Sequence, residues 1–186
     1  MMRSSLHQPA GPFLADLKKA DEERRNEFVW VHQEKFYSIA FVATGNEKKA
    51  SDVVGTAFVN IFTDLKTVNP KKMDMPLWDW LSEFIVQACE EHHNKFSPPI
   101  PTAPRTDPSA DGSAQMDWET TIILGPQRVK RCLVQLPDEQ RKVFLLRHHF
   151  QLSYDQIAVV VNQAPETVKA WLFRARVQVV KCLGRG

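Results

Sequence analysis

Apolar residues recur at three- and four-residue steps along most of this chain, the period of an amphipathic helix. Phe28, Val31, Phe36, Ile39, Ala40 and Ala43 form one such stripe, and Gly45-Asn46 closes it. Ala50, Val53, Val54, Ala57, Phe58, Ile61, Phe62 and Leu65 form a second. The segment KTVNPKKMDMP, with Pro70 and Pro76 as breakers, separates it from a third, made of Leu77, Trp80, Leu81, Phe84, Ile85, Ala88 and Cys89. Farther on, Val129, Cys132, Leu133 and Leu136 predict a helix ending near Leu136-Pro137. DEQRKVFLLRHHF predicts another, with its acids at the N-terminal end that the helix dipole favours. Two-residue alternation is absent, so the fold class expected is all-α, as two small helical domains.

The stretch from Leu152 to Leu183 holds two short amphipathic patterns with only NQA between them. Ser153 suits an N-cap for YDQIAVVV, and Asn162 tolerates the left-handed backbone of a tight turn. Pro165 in the first turn starts the last helix. Two helices joined this closely make a helix-turn-helix. On the last helix Val168, Leu172, Ala175 and Val179 share one face and are expected to pack inward. Thr167, Lys169, Ala170, Phe173, Arg174 and Arg176 lie towards the other side. Cations for phosphates, a forked arginine for a guanine edge and apolar atoms for a thymine methyl are what a major-groove helix requires. A solvated basic face on an ordinary bundle is the plainer alternative.

Composition then divides the chain. SPPIPTAPRTDPSADGSAQ, residues 97–115, carries five prolines and almost nothing apolar, so it cannot support a core and reads as a proline-rich, extended or disordered linker. From Asp16 to Phe96 there are 14 acidic and 11 basic residues, whereas Pro137 to Gly186 carries four acids against eight Lys and Arg. The net charge of +2 conceals this asymmetry, which puts basic charge at the end where a polyanion is met. No apolar run is long enough for a membrane span and the N-terminus lacks a signal-peptide core, so the cytoplasm is expected. Cys89, Cys132 and Cys182 are odd in number and lack CxxC spacing, and all three are read as small buried hydrophobes, without a disulfide framework or zinc site. Neighbouring histidines, His92-His93 and His148-His149, point about 100° apart on a helix, which suits no single ion. No nucleophile motif, phosphate loop or cofactor signature is present, so an enzyme is not expected and no metal or cofactor is assigned.

The block LPDEQRKVFLLRHHFQLSYDQIAVVVNQAPETVKAWLFRARVQVVKCL resembles the fourth conserved region of bacterial sigma factors of the sigma-70 family. Its pieces LPDEQRKVFLLR, LSYDQIA and TVKAWLFRAR occur in the family's order and spacing. The resemblance implies a domain that reads the minus-thirty-five promoter element. Lys169, Ala170, Phe173 and Arg174 then face bases, while Thr167 and Arg176 tend towards phosphates. Trp171 departs from the family's small polar or basic residue, and both an exposed and a core placement stay open for it.

More loosely, KASDVVGTAFVNIF resembles the helix of the family's second region that docks on the polymerase clamp. This implies a polymerase contact by Asp52, Val53, Val54, Phe58 and Phe62, with Gly55 and Thr56 in place of the usual Gln-Glu pair. PLWDWLSEFIVQACEEHHNK is similar to the helix that helps open the minus-ten element. Trp80 is implied as a DNA residue there, with Lys66, Lys71 and Lys72 of the preceding loop; Val86, Glu90, His92 and His93 depart from the family's pattern.

With a linker where larger sigma factors carry a third domain, the whole resembles the extracytoplasmic-function (ECF) group. The division implied is an N-terminal segment 1–25, a region-2-like domain 26–96, a linker 97–118 and a region-4-like domain 119–186. The partners implied are core RNA polymerase, double-stranded promoter DNA and an anti-sigma protein. A sigma-like interaction protein, serving as decoy or accessory activator and not initiating transcription itself, is the alternative of a different class.

Overall fold

The computed structural model describes residues 9–96 and 126–184, so the expected linker 97–118 lies outside the described residues. Among them every regular element is helical, and the one extended pairing is an isolated antiparallel bridge between Pro9 and Pro76. Two compact units, residues 1–99 and 100–186, are described separately below.

The first unit contains α1 (Ala10–Lys19), α2 (Glu22–Thr44), α3 (Glu47–Thr67), a 3-10 turn (Pro70–Lys72) and α4 (Leu77–Phe96). Local chemistry sets its boundaries. The Asp21 carboxylate accepts from the Arg24 backbone N–H and caps α2, and the Asn46 side chain does the same for α3 through Lys49. Gly45, at φ 61°, ends α2 with its N–H on the Phe41 carbonyl at 2.8 Å. Phe28, Phe36 and Phe58 form a buried aromatic cluster, Phe36 stacking on Phe58 at 5.0 Å between centroids. The buried sides of α3 and α4 are Ala50, Val53, Ala57, Phe58, Ile61 and Leu65, and Leu77, Trp78, Trp80, Leu81, Ile85, Val86, Ala88 and Cys89.

One expectation changes here. Val31 is exposed and His32 takes its place inside. At about 100° per residue, position 32 falls within the arc of Phe28, Phe36, Ile39 and Ala40, and position 31 falls outside it. Burial, then the charge of Lys35, pushes the His32 pKa down to about 4. The N-terminal segment, whose order the sequence left open, adds a helix: Leu14 and Leu17 of α1 belong to the core.

The second unit contains α5 (Pro126–Val134), α6 (Asp138–His148), α7 (Tyr154–Val161) and α8 (Pro165–Leu183). Ser153 and Gln156 form a capping box at the start of α7. Asn162 ends that helix at φ 51°, ψ 52°, the left-handed geometry that turns the chain into α8. Val143, Leu146, Leu152, Ile157, Val160, Val168 and Leu172 fill the core. Arg147 steadies the connection between α6 and α7, donating to the Leu152 carbonyl at 2.8 Å beneath the Tyr154 ring.

The cysteine expectation is overturned for two of the three residues. Cys132 of α5 and Cys182 of α8 form a disulfide across 50 residues, their Cα atoms 5.8 Å apart. Arg128 adds a donor to the Leu183 carbonyl at 3.4 Å, so α5 is tied to the C-terminal end of α8 twice. Cys89 is free and buried as expected, and burial pushes its thiol up to about 12.

Candidate nucleic-acid interface

Helix α8 is positioned by burial of the four residues its spacing singled out: Val168, Leu172, Ala175 and Val179. With that face fixed, Lys169, Phe173 and Arg174 are exposed, while Thr167, Ala170, Trp171 and Arg176 are half-buried at the flanks. Phe173 is half exposed. Lys169 and Phe173 stand one turn apart, as do Ala170 and Arg174, so the exposed strip offers cation and apolar surface side by side. Trp171 takes neither of its two placements fully.

Arg176 is held in place. Its Nε donates to His148 Nε2 at 3.4 Å, and the His148 ring lies 4.5 Å from that of Phe144. The acceptor nitrogen must be unprotonated. Burial, then Arg176 and Arg147, accordingly lowers the His148 pKa to about 4. Because the folded pKa lies below the ordinary 6.5, the unfolded chain binds the proton more readily between those values. Folding stability is therefore full above pH 6.5 and is lost progressively as pH falls towards 4, and His32 acts in the same sense in the first unit. Hydrogen exchange of the α8 amides between pH 7 and 4.5, corrected for intrinsic rates, is expected to show this loss, and His148→Gln to reduce it. Equal pH sensitivity in the variant would assign the effect elsewhere.

The residues of the first unit divide differently from the sequence expectation. Lys66, Lys71 and Lys72 are exposed. Trp80, read as a DNA residue, is instead packed inside against Phe84, ring centroids 4.8 Å apart, and presents almost no surface. Val86, which departed from the family's pattern, is likewise a core residue. On α3, Val53 and Phe58 face the interior, which removes them from a docking surface; Asp52 is exposed, and Val54 and Phe62 are half-buried. The exposed apolar residues missed from sequence are Val59 on α3 and Trp30 and Phe41 on α2. Each lies on the far side of its helix from the buried stripe, where a search for core-facing periodicity does not look.

Gly55 sits on the outer side of α3 with open space where a Cβ would go. Gly55→Ala is therefore expected to stabilise the first unit by roughly 1 kcal/mol, through helix propensity alone. Denaturant unfolding followed by helical circular dichroism checks this, and a loss of stability would show that the position is packed.

A helix-turn-helix whose second helix buries one face and offers Lys169, Phe173 and Arg174 on the other defines a DNA-reading domain. Residues 127–179 match the family description "Sigma-70, region 4". Over 173 residues the chain is 23% identical to the ECF RNA polymerase sigma factor SigW of Bacillus subtilis, covering 88% of this chain and 90% of that one. It is 28% identical over 155 residues to the ECF RNA polymerase sigma factor SigM of Mycobacterium tuberculosis, covering 82% and 74%. Against the RNA polymerase sigma-H factor of Pseudomonas aeruginosa it is 24% identical over 183 residues, covering 90% of each. Over most of its length the chain is similar to ECF sigma factors of the sigma-70 family, and residues 127–179 match that family's region 4. None of its described helices is long and apolar enough to cross a membrane.

Proposed function

We propose that this chain directs core RNA polymerase to specific promoters and supports transcription initiation, placing α8 in the major groove of the minus-thirty-five element. The observation that carries the reading is the exposed strip of Lys169, Phe173 and Arg174 on a helix whose opposite face is locked into a core. Thr167 and Arg176 flank the strip as phosphate contacts, with Arg176 aimed by His148. The first unit, extended back to α1, contacts polymerase through the outer side of α3, where Asp52, Val54, Val59 and Phe62 keep exposed surface. The lysines at 66, 71 and 72 meet the minus-ten strand. The proline-rich stretch 97–118 is the linker between the two DNA-directed units. The chemistry of RNA synthesis belongs to the polymerase. The chain acts in the cytoplasm, and an anti-sigma protein that covers these surfaces is the expected regulator.

Transcription in vitro from genomic fragments, with purified core polymerase and with or without this chain, tests the reading. New starts that share upstream motifs are the expected result. Binding to core without any new start would favour an interaction protein that no longer initiates, with exposed Glu90 as its motive. Reversal of Lys71 and Lys72 to Glu is expected to slow promoter opening by about tenfold or more, because two cations facing a strand become two anions. Unchanged opening kinetics would return both lysines to solvent.

A further inference from the structure

The contacts of α1 concentrate on one target, the segment between α3 and α4 that carries Lys71 and Lys72. At its entry, Lys18 Nζ donates to the Lys66 carbonyl at 2.9 Å and the Val68 carbonyl at 3.1 Å, oxygens that the end of α3 leaves without helical partners. At its exit, the Ala10 N–H donates to the Met75 carbonyl at 2.8 Å, and Pro9 forms the bridge to Pro76. In the middle, Gly11 lies so close that a Cβ would stand 2.5 Å from the Pro70 carbonyl oxygen and 3.1 Å from that of Met73. Both are backbone atoms, which have no side-chain freedom with which to yield. Ala10, Leu14 and Leu17 bury the other contacts of α1 in the core, so the grip is anchored.

Between these points the segment closes on itself. The Asn69 side chain accepts from the Lys71 N–H at 3.1 Å, and the Lys72 N–H donates to the Asn69 carbonyl at 3.0 Å. The two lysine side chains remain exposed.

We infer that α1 is a positioning element for promoter opening: it holds the Lys71-Lys72 turn at its entry, its middle and its exit, so that both cations meet the DNA strand from a pre-ordered backbone. The inference rests on the proposed minus-ten role of that turn. A turn already ordered loses little conformational freedom when the strand arrives, which keeps more of the electrostatic attraction as net binding. Gly11 is the residue that permits the grip, since alanine, otherwise the better helix former, has no room.

The test uses the full chain carrying Gly11→Ala, Lys18→Met or Lys18→Arg. Hydrogen exchange of amides 68–76 is expected to speed up by about tenfold or more in the first two variants, with the core amides of α3 and α4 still protected and Lys18→Arg close to wild type. Unchanged exchange in the turn, or faster exchange spread evenly through the unit, would overturn the inference. Promoter opening is then followed with 2-aminopurine in the minus-ten segment of a promoter recovered by transcription from genomic fragments. Gly11→Ala and Lys18→Met are expected to slow it by about tenfold while core binding and minus-thirty-five binding stay unchanged, and Lys18→Arg is expected to restore it. If the Glu reversals at 71 and 72 slow opening but the loosened turn does not, α1 is only structural and the inference falls while the role of the turn stands. If the Glu reversals also leave opening unchanged, the minus-ten reading of the turn fails and takes the inference with it.

Discussion

Replacement of Arg174 by alanine is expected to weaken binding to the minus-thirty-five element by about 1–3 kcal/mol and to relax preference at one base position. Arg174 stands exposed on α8, whose orientation is set by the burial of Leu172 and Ala175 on either side of it in sequence. A guanidinium held there can meet the O6 and N7 of guanine with two parallel donors, which no other base offers in the same geometry. Arg176→Ala, at the proposed phosphate contact, should behave differently: a loss shared by all sequences and a shallower salt dependence. Fluorescence anisotropy on a panel of singly substituted minus-thirty-five duplexes, at two salt concentrations, separates the two. An equal loss for Arg174→Ala on every duplex would make Arg174 a phosphate contact and leave base reading to its neighbours.

The second large effect concerns the Cys132–Cys182 bond. Closing a loop of 50 residues restricts the unfolded chain, and the loop-entropy relation puts the stabilisation of the second unit at about 4 kcal/mol. Reduction, or the pair Cys132→Ala and Cys182→Ala, is expected to remove most of it. The loss should begin where α5 meets the C-terminal end of α8, since the covalent tie there is gone while the Arg128 donor to Leu183 is left to hold those ends. Denaturant-dependent hydrogen exchange of the α8 amides, with and without reductant, measures the difference. The oxidised chain, once unfolded, should alkylate at Cys89 alone. Alkylation at all three cysteines, or equal protection in both redox states, would show that the bond contributes nothing to the second unit.

The helices themselves were legible because their signals are local. Ser153, Asn162 and Pro165 each act within a turn of their own position, and the spacing of Val168, Leu172, Ala175 and Val179 selects one face without reference to the rest of the chain. The exposed strip of α8 followed by subtraction, since residues that are not inside are outside. That logic was weaker for α3 and α4, whose stripes are wide. Val53, Phe58 and Trp80 matched a family pattern by type, but a residue type does not say whether its side chain faces the interior or a partner. The packing of α3 between α2 and α4 gave that answer, turning Val53, Phe58 and Trp80 inward and leaving Val59 outside.

By itself, the sequence determined the all-helical class, the helix-turn-helix and the face of α8 left exposed, because periodicity, caps and turn residues work over three or four positions. Tertiary structure alone decided three further things: the pairing of Cys132 with Cys182, the hold of His148 on Arg176, and the grip of α1 on the Lys71-Lys72 turn. Each joins residues 28 to 67 positions apart, and no short-range pattern records which distant surfaces a chain will bring together.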